Sequence, residues 1–493
     1  MNSVRNFYFP YIEWEILRKP VTITQIDQNQ GLPDGKKKIR INRDEDYNLK
    51  GLLEFEDPSP KGVYFKPHTN VAGTIAKIFD IHGSSHDISY IIESVVIGDV
   101  NITRISEGEE QNTGTAKLHF KALKIKYNNK NEGTHLVEWF LNGPTDHIFW
   151  ERTERKEKIN YIRNRYDSED KKIDSIDISA KSEASGGDYL WMDLSDFQFL
   201  IGKVPNEFGP EWSSNIGIEY KKEWGGIPNI RQREEIEELC SFIFGRQLLS
   251  IGYSLLDQKD KLVEAYCHDP WGKNAKSFCS NVAYPPIRID FPFSRSPKEL
   301  ISQLMPKYFE SSDLLRLTEA VWYIWVSREM PIGTNLPILA AALESIINGW
   351  FKSKSESHGV YLKKEIFESS IEKEIDKIRK KLDAIFETEK ERSNVQKIVN
   401  KILRANEFGV MERYRIFFEE IDLKAEPHEW KAINERHKFV HGHARFKEAD
   451  WSKVLSYVNT YETLLNKVIL KLLGYSGKYI DRSTAGWTDK KLA

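Results

Sequence analysis

Asn434-Glu435-Arg436-His437-Lys438-Phe439-Val440-His441-Gly442 places an arginine and a histidine, with four residues between them, near the close of a helical pattern. Trp430, Ile433, His437 and Val440 recur at intervals of three and four, so the spacing predicts a helix from about Glu429 with these residues along one stripe. Gly442 stands where helices commonly end. His441 then falls at the negative end of the helix dipole, which favours an imidazolium able to donate a proton. Arginine is a permanent, planar cation suited to phosphate, and histidine moves a proton most readily near neutral pH. Five positions at about 100° each set Arg436 and His441 roughly 140° apart around an ideal helix. One regular helix does not aim both at one phosphate. A distorted helix end would, and so would a two-fold interface joining two such helices.

Outward from this stretch, the pattern is helical from about residue 297 to 475, with clear members at 314–326, 336–351, 363–388, 393–405, 429–440 and 451–473. The first half reads differently. Short apolar or alternating runs at 51–56, 62–66, 76–81, 90–97, 116–125, 135–141 and 147–150 predict strands, and the pattern resumes at 189–200 and 216–224. Between them, 151–187 is polar and fits either a surface excursion or a long hairpin. A helix over 231–244 and strand-like pieces at 246–256 and 262–266 precede a crossing marked by Pro285, Pro286 and Pro292. The expected fold class is α+β and multidomain. A β-rich, sandwich-like region spans 1–230, a mixed connecting region 231–296, an α-helical bundle 297–480 and a flexible tail 481–493.

The chain has 493 residues, more than one ordinary core holds. A hydrophobic share of 40% with 30% charged residues suits a soluble globular protein, and 13 Trp with 25 Phe supply its cores. A net charge of −2 excludes a global polycation that coats nucleic acid, so any such contact must be a local basic patch. Cys240, Cys267 and Cys279 are too few for a disulfide framework and point to a reducing, cytoplasmic setting. The N-terminus lacks the apolar core of a signal peptide. The most apolar run, 336–350, is short and contains Glu344, so no membrane span is expected.

The Arg-x4-His arrangement, with His437 directly after Arg436, resembles the signature of HEPN-domain ribonucleases. The likeness extends to 336–344, an aliphatic run ending in Leu343-Glu344, and to Glu319-Ala320-Val321-Trp322-Tyr323 and Leu472-Leu473-Gly474-Tyr475. These read like ApeA-type HEPN proteins, and 51–53 with 74–79 are similar in tenor to the β-rich N-terminal domain of that group. The resemblance implies a homodimer or higher even oligomer with the motif at the shared cleft. It implies RNA as substrate, with tRNA a candidate, no cofactor, and an antiphage abortive-infection role. A phage-derived trigger would bind the N-terminal domain. Many relatives have Arg-Asn where this chain has Arg436-His437, which leaves the third polar group's role open.

The chemistry implied is transesterification. His441 withdraws the ribose 2′-OH proton, that oxygen attacks the adjacent phosphorus, and an acid protonates the departing 5′-oxygen. Arg436 offsets charge on the non-bridging oxygens, while His437 and Lys438 orient or neutralise. Glu344 either supports the site or solvates its helix. Arg379 and Lys380, in a basic cluster with Lys377 and Lys381, are candidates for guiding RNA, set against a plain solvated helix face.

Other candidates are weaker. Cys267-His268 with Cys279 has poor spacing for zinc. His82 and His86 lie in a loop-like stretch. Trp139, Trp150, Trp191 and Trp212 suit core packing or a binding sandwich. The chief alternative is an inactive β-sandwich recognition module attached to a helical dimerisation domain; a glycosidase has carboxylates but no identifiable pair.

Overall fold

The computed structural model describes residues 10–27, 32–33, 35–57, 78–104, 112–128, 131–144, 148–149, 151–166, 172–270, 274–289, 296–354, 359–385, 389–440 and 451–492. Within these, only the backbone is described at 10–11, 57, 102–104, 112, 154–166, 172–186, 364, 389–393 and 437–440. The expected strand at 62–66 and Trp150 lie outside the described residues.

The chain forms two compact units. One comprises Met1–Arg233, Ile243–Tyr284 and Ile289–Ser302, the other Glu234–Phe242, Pro285–Arg288 and Gln303–Ala493. An antiparallel, sheet-rich region is followed by a helical one, as the strand and helix periodicities predict.

The first unit holds strands β1 (Val21–Ile23), β2 (Gln25–Ile26), β3 (Lys37–Arg43), β4 (Leu49–Asp57), β5 (Phe79–Ser85), β6 (Ile88–Arg104), β7 (Asn112–His119) and β8 (Ala122–Tyr127). They continue with β9 (His135–Leu141), β10 (Glu151–Tyr166), β11 (Lys172–Asp193), β12 (Gln198–Lys203), β13 (Ile216–Lys221), β14 (Leu249–Leu256) and β15 (Leu262–His268). Their order is β1-β3-β4-β7-β6-β8-β15-β14-β9-β13-β12-β11-β10, with β2 joined to β5 and β5 to β6. The long β6 pairs β8 over Ile88–Glu93 and β7 from Val96 onward, with a register shift between Ile97 and Val100. Sequence pattern explains position. In β9 only Glu138 is not buried, as a strand covered on both faces requires. Within the polar stretch 151–187, β10 and β11 form a long antiparallel pair, whereas β12 joins β11 only at Tyr189–Asp193.

The connecting region expected at 231–296 is corrected here. Its β14 and β15 lie inside the sheet, between β8 and β9. Alternating burial along both strands gives each an apolar face for the core. β14 carries an irregularity against β9 between Ser250 and Gly252. Gly252 has φ +134, and a Cβ there would come within 1.9 Å of the Tyr266 carbonyl oxygen. Gly252→Ala is therefore expected to destabilise this unit by about 3 kcal/mol, read as a lowered denaturation midpoint.

Several buried polar groups in the sheet unit have partners. Arg43 donates Nε and Nη2 to Glu15, with Nη2 also reaching the Ile251 carbonyl at 2.9 Å. Its Nη1 donates to the Tyr47 and His268 carbonyls at 2.9 and 3.0 Å. Trp139 is buried, donates to Ser254 Oγ at 3.1 Å and meets Trp14 edge-on. Trp191 packs edge-on against Trp224, and Trp212 donates to the Glu45 carbonyl. Cys267 is buried and Cys279 half-buried; burial pushes the Cys279 thiol up to about 11. Among the described residues, no group of three His, Cys, Asp or Glu side chains is placed to hold a metal ion. His82 lies in β5, not in a loop, and His86 occupies the β5–β6 turn at φ 50.

Helices α1 (Pro10–Glu13), α2 (Ile230–Phe244), α3 (Ala275–Cys279) and α4 (Pro297–Ser311) precede the bundle proper. The bundle is α5 (Leu317–Arg328), α6 (Asn335–Ser353), α7 (Lys364–Ile385), α8 (Glu389–Leu403), α9 (Val410–Glu420), α10 (Pro427–Val440) and α11 (Trp451–Leu472). Central α6 contacts α5, α9, α10 and α11. Leu339, Leu343, Ile346, Ile347 and Trp350 bury its apolar side. Helices α7 and α8 pack on each other through Ile375, Val395 and Val399. No helix of the described residues is long and apolar enough to cross a membrane.

The segment 481–493, expected as a flexible tail, instead enters a hairpin of β16 (Lys478–Asp481) and β17 (Thr488–Lys491). Asp481 and Arg482 are buried there, and Arg482 donates to the Pro285 carbonyl. Burial pushes the Asp481 pKa up, but hydrogen bonds from Lys490 and Ser483 outweigh it and hold the carboxyl below its usual range. A depressed folded pKa stabilises above the unfolded value and is lost as pH falls through the folded one. Exchange protection of the hairpin amides is therefore expected to fall in acid, below the ordinary carboxylate range. Asp481→Asn should flatten that dependence.

Candidate functional site

Helix α10 starts with Pro427 at its first position, where a missing N–H costs nothing. Glu429 Oε2 accepts the backbone N–H of Glu426 at 2.7 Å, and both Glu429 oxygens accept from Lys467 Nζ at 2.8 and 3.0 Å. That ion pair is almost wholly buried, with side-chain exposures of 3% and 5%, and fixes α10 on α11.

The buried stripe of α10 is Glu429, Ala432, Ile433 and Arg436. Of the expected stripe of Trp430, Ile433, His437 and Val440, Ile433 is buried and Trp430 half-buried, and the side chains of His437 and Val440 are not described. Arg436 itself is 3% exposed. Its Nε and Nη2 both donate to Glu344 Oε1 of α6, at 3.2 and 2.9 Å, and Nη1 donates to the Ile433 carbonyl at 2.8 Å. One N–H on each Nη has no acceptor among the described residues.

The guanidinium carbon lies 5.3 Å from the centre of the Tyr414 ring on α9. The Tyr414 hydroxyl stands 3.4 Å from that of Tyr461 on α11. Four helices thus surround one arginine. Burial lowers the Arg436 pKa, but the Tyr414, Tyr461 and Glu344 oxygens outweigh it and the net shift is upward, so the charge is permanent. Burial raises Tyr414 well above its ordinary value and pushes Tyr461 up to about 12, so both are neutral phenols near pH 7.

The structure joins two sequence candidates 92 positions apart, Arg436 and Glu344. Only one Glu344 oxygen takes part; no described residue donates to the other, and 43% of the side chain is exposed. His437 and Lys438 lie on the α10 backbone with side chains undescribed, and His441 lies outside the described residues. Arg379 and Lys380 are exposed on α7, where Arg379 faces Asp376 at 3.6 Å, and no interaction ties either to the Arg436 cluster. Tyr414, Tyr461 and Arg413 are members that sequence reading missed. Arg413 and Tyr414 lie on α9, which the sequence reading did not single out although Tyr414, Phe417 and Phe418 follow the three-and-four spacing of a buried face; Tyr461 lies on α11.

Chemically, the cluster presents a fixed cation beside a half-exposed carboxylate, with phenols able to donate but not to accept protons as bases. No family model, curated protein or solved structure matches the chain.

Proposed function

We propose that the helical unit is a HEPN-type endoribonuclease that cuts RNA by 2′-OH transesterification without a metal. One observation carries the reading: Arg436 is held in place by Glu344 and the Tyr414 ring, five residues before His441. A cation fixed in advance stabilises charge on phosphate oxygens without reorganising during the reaction. His441 is the base or acid, with His437 and Lys438 auxiliary. The resemblance further supports a cytoplasmic antiphage effector acting as a homodimer or higher even oligomer. Transfer RNA is a candidate substrate, and the β-rich unit answers to a phage-derived trigger.

The burial of Arg436 favours a second reading. At 3% exposure, with three of its N–H groups committed, it also serves as a structural ion pair. The chain would then be an inactive recognition module with a helical dimerisation domain. Incubation with matched RNA and DNA in EDTA separates the two. The ribonuclease reading expects cut RNA bearing 2′,3′-cyclic phosphate and 5′-hydroxyl ends, with DNA intact. Intact RNA, even with extract from phage-infected cells added, contradicts it.

A further inference from the structure

A second arginine stands beside the cluster and differs from every paired one around it. Arg413 precedes Tyr414 on α9, and its guanidinium carbon lies 4.6 Å from the centre of the Phe351 ring. Phe351 and Glu344 are seven positions apart on α6, two turns along the same side. The buried and half-buried arginines Arg328, Arg436 and Arg482 of this unit each donate to a carboxylate or carbonyl. Arg413 is half-buried, yet its guanidinium makes no hydrogen bond or ion pair with any described residue, and its Nε is buried without a partner.

The electrostatics agree. Burial lowers the Arg413 pKa, and the opposing charges of Glu407 and Glu344 do not make up the difference. A guanidinium that is partly desolvated and uncompensated favours any anion that reaches it. The Phe351 ring lies against the guanidinium, and the two Nη groups, which are not enclosed as Nε is, carry the N–H donors that can meet two oxygens of one phosphate.

We propose that Arg413 is the phosphate-gripping residue of this site, binding a phosphodiester of RNA on its free edge while Arg436 remains committed to Glu344. The assignment rests on RNA as the ligand in the ribonuclease reading. Arg413 then holds the RNA backbone on binding, and the enclosed Arg436 offsets the charge that grows on the phosphate during cleavage.

The test is binding, not turnover. A 2′-O-methyl RNA oligonucleotide, which cannot be cleaved, is titrated in EDTA at several salt concentrations with wild type, Arg413→Gln and Arg413→Lys. Glutamine keeps most of the stem over Phe351 and removes the charge. Arg413→Gln is expected to weaken binding about tenfold and to lower the salt slope by about 0.7, one single-strand phosphate contact. Arg413→Lys is expected to restore the slope but not the full affinity. Unchanged affinity and slope in Arg413→Gln overturn the assignment, as does a wild type that binds no RNA. Native RNA separates the two claims. If wild type cuts it and Arg413→Gln matches wild type in affinity and KM, this assignment alone falls. If binding depends on Arg413 but nothing cuts, the ribonuclease reading alone falls.

Discussion

Replacing Lys467 with methionine is expected to destabilise the helical unit by about 3–5 kcal/mol, because it strands the Glu429 carboxylate in a site that is 3% exposed. Both Glu429 oxygens depend on Lys467 Nζ, and among the described residues the only other donor is the Glu426 backbone N–H. The double variant Glu429→Gln/Lys467→Met should recover much of that loss, since removing both charges also removes the desolvation cost. Hydrogen exchange of the α10 and α11 amides reads the effect locally. If the single variant leaves those amides as protected as in wild type, the pair does not fasten the two helices.

Arg436→Lys is expected to lower RNA cleavage about 100- to 1,000-fold while the helical unit stays folded. Lysine keeps a positive charge but loses the fork that engages Glu344 and the flat face that lies on Tyr414. The two partners of this ion pair should respond unequally in stability. Losing Arg436 leaves a Glu344 carboxylate that is 43% exposed and rehydrates, whereas losing Glu344 leaves a buried guanidinium without its anion. Glu344→Leu should therefore cost more than Arg436→Met, on the order of 3 kcal/mol. Chemical denaturation ranks them, and the reverse order would contradict the geometry.

Much of the architecture was legible locally. Period-two runs marked the strands, and three-and-four spacing marked α5, α6, α10 and α11. What escaped was set by distant partners. The runs that became β14 and β15 sit between a helix and a proline cluster, which reads as a connection. Only pairing with β8 and β9 places them inside the sheet. The last residues read as a flexible tail, yet Asp481 and Arg482 are buried with partners of their own.

The site divides along the same line. Arg436 was singled out for its chemistry but was not placed on the expected stripe. Its buried place depends on Glu344, a residue of another helix. Each was named in the sequence; their pairing was not, because it depends on where α6 and α10 cross. Arg413 drew no notice because nothing near it in sequence is unusual. Its interest lies in what surrounds it in space.

The most direct measurement compares RNA cleavage in EDTA by wild type, Arg436→Ala and His441→Ala, with the product ends analysed. The account predicts 2′,3′-cyclic phosphate and 5′-hydroxyl ends from wild type and loss of cleavage in both variants. Cleavage that survives either substitution, or that leaves other ends, would contradict it.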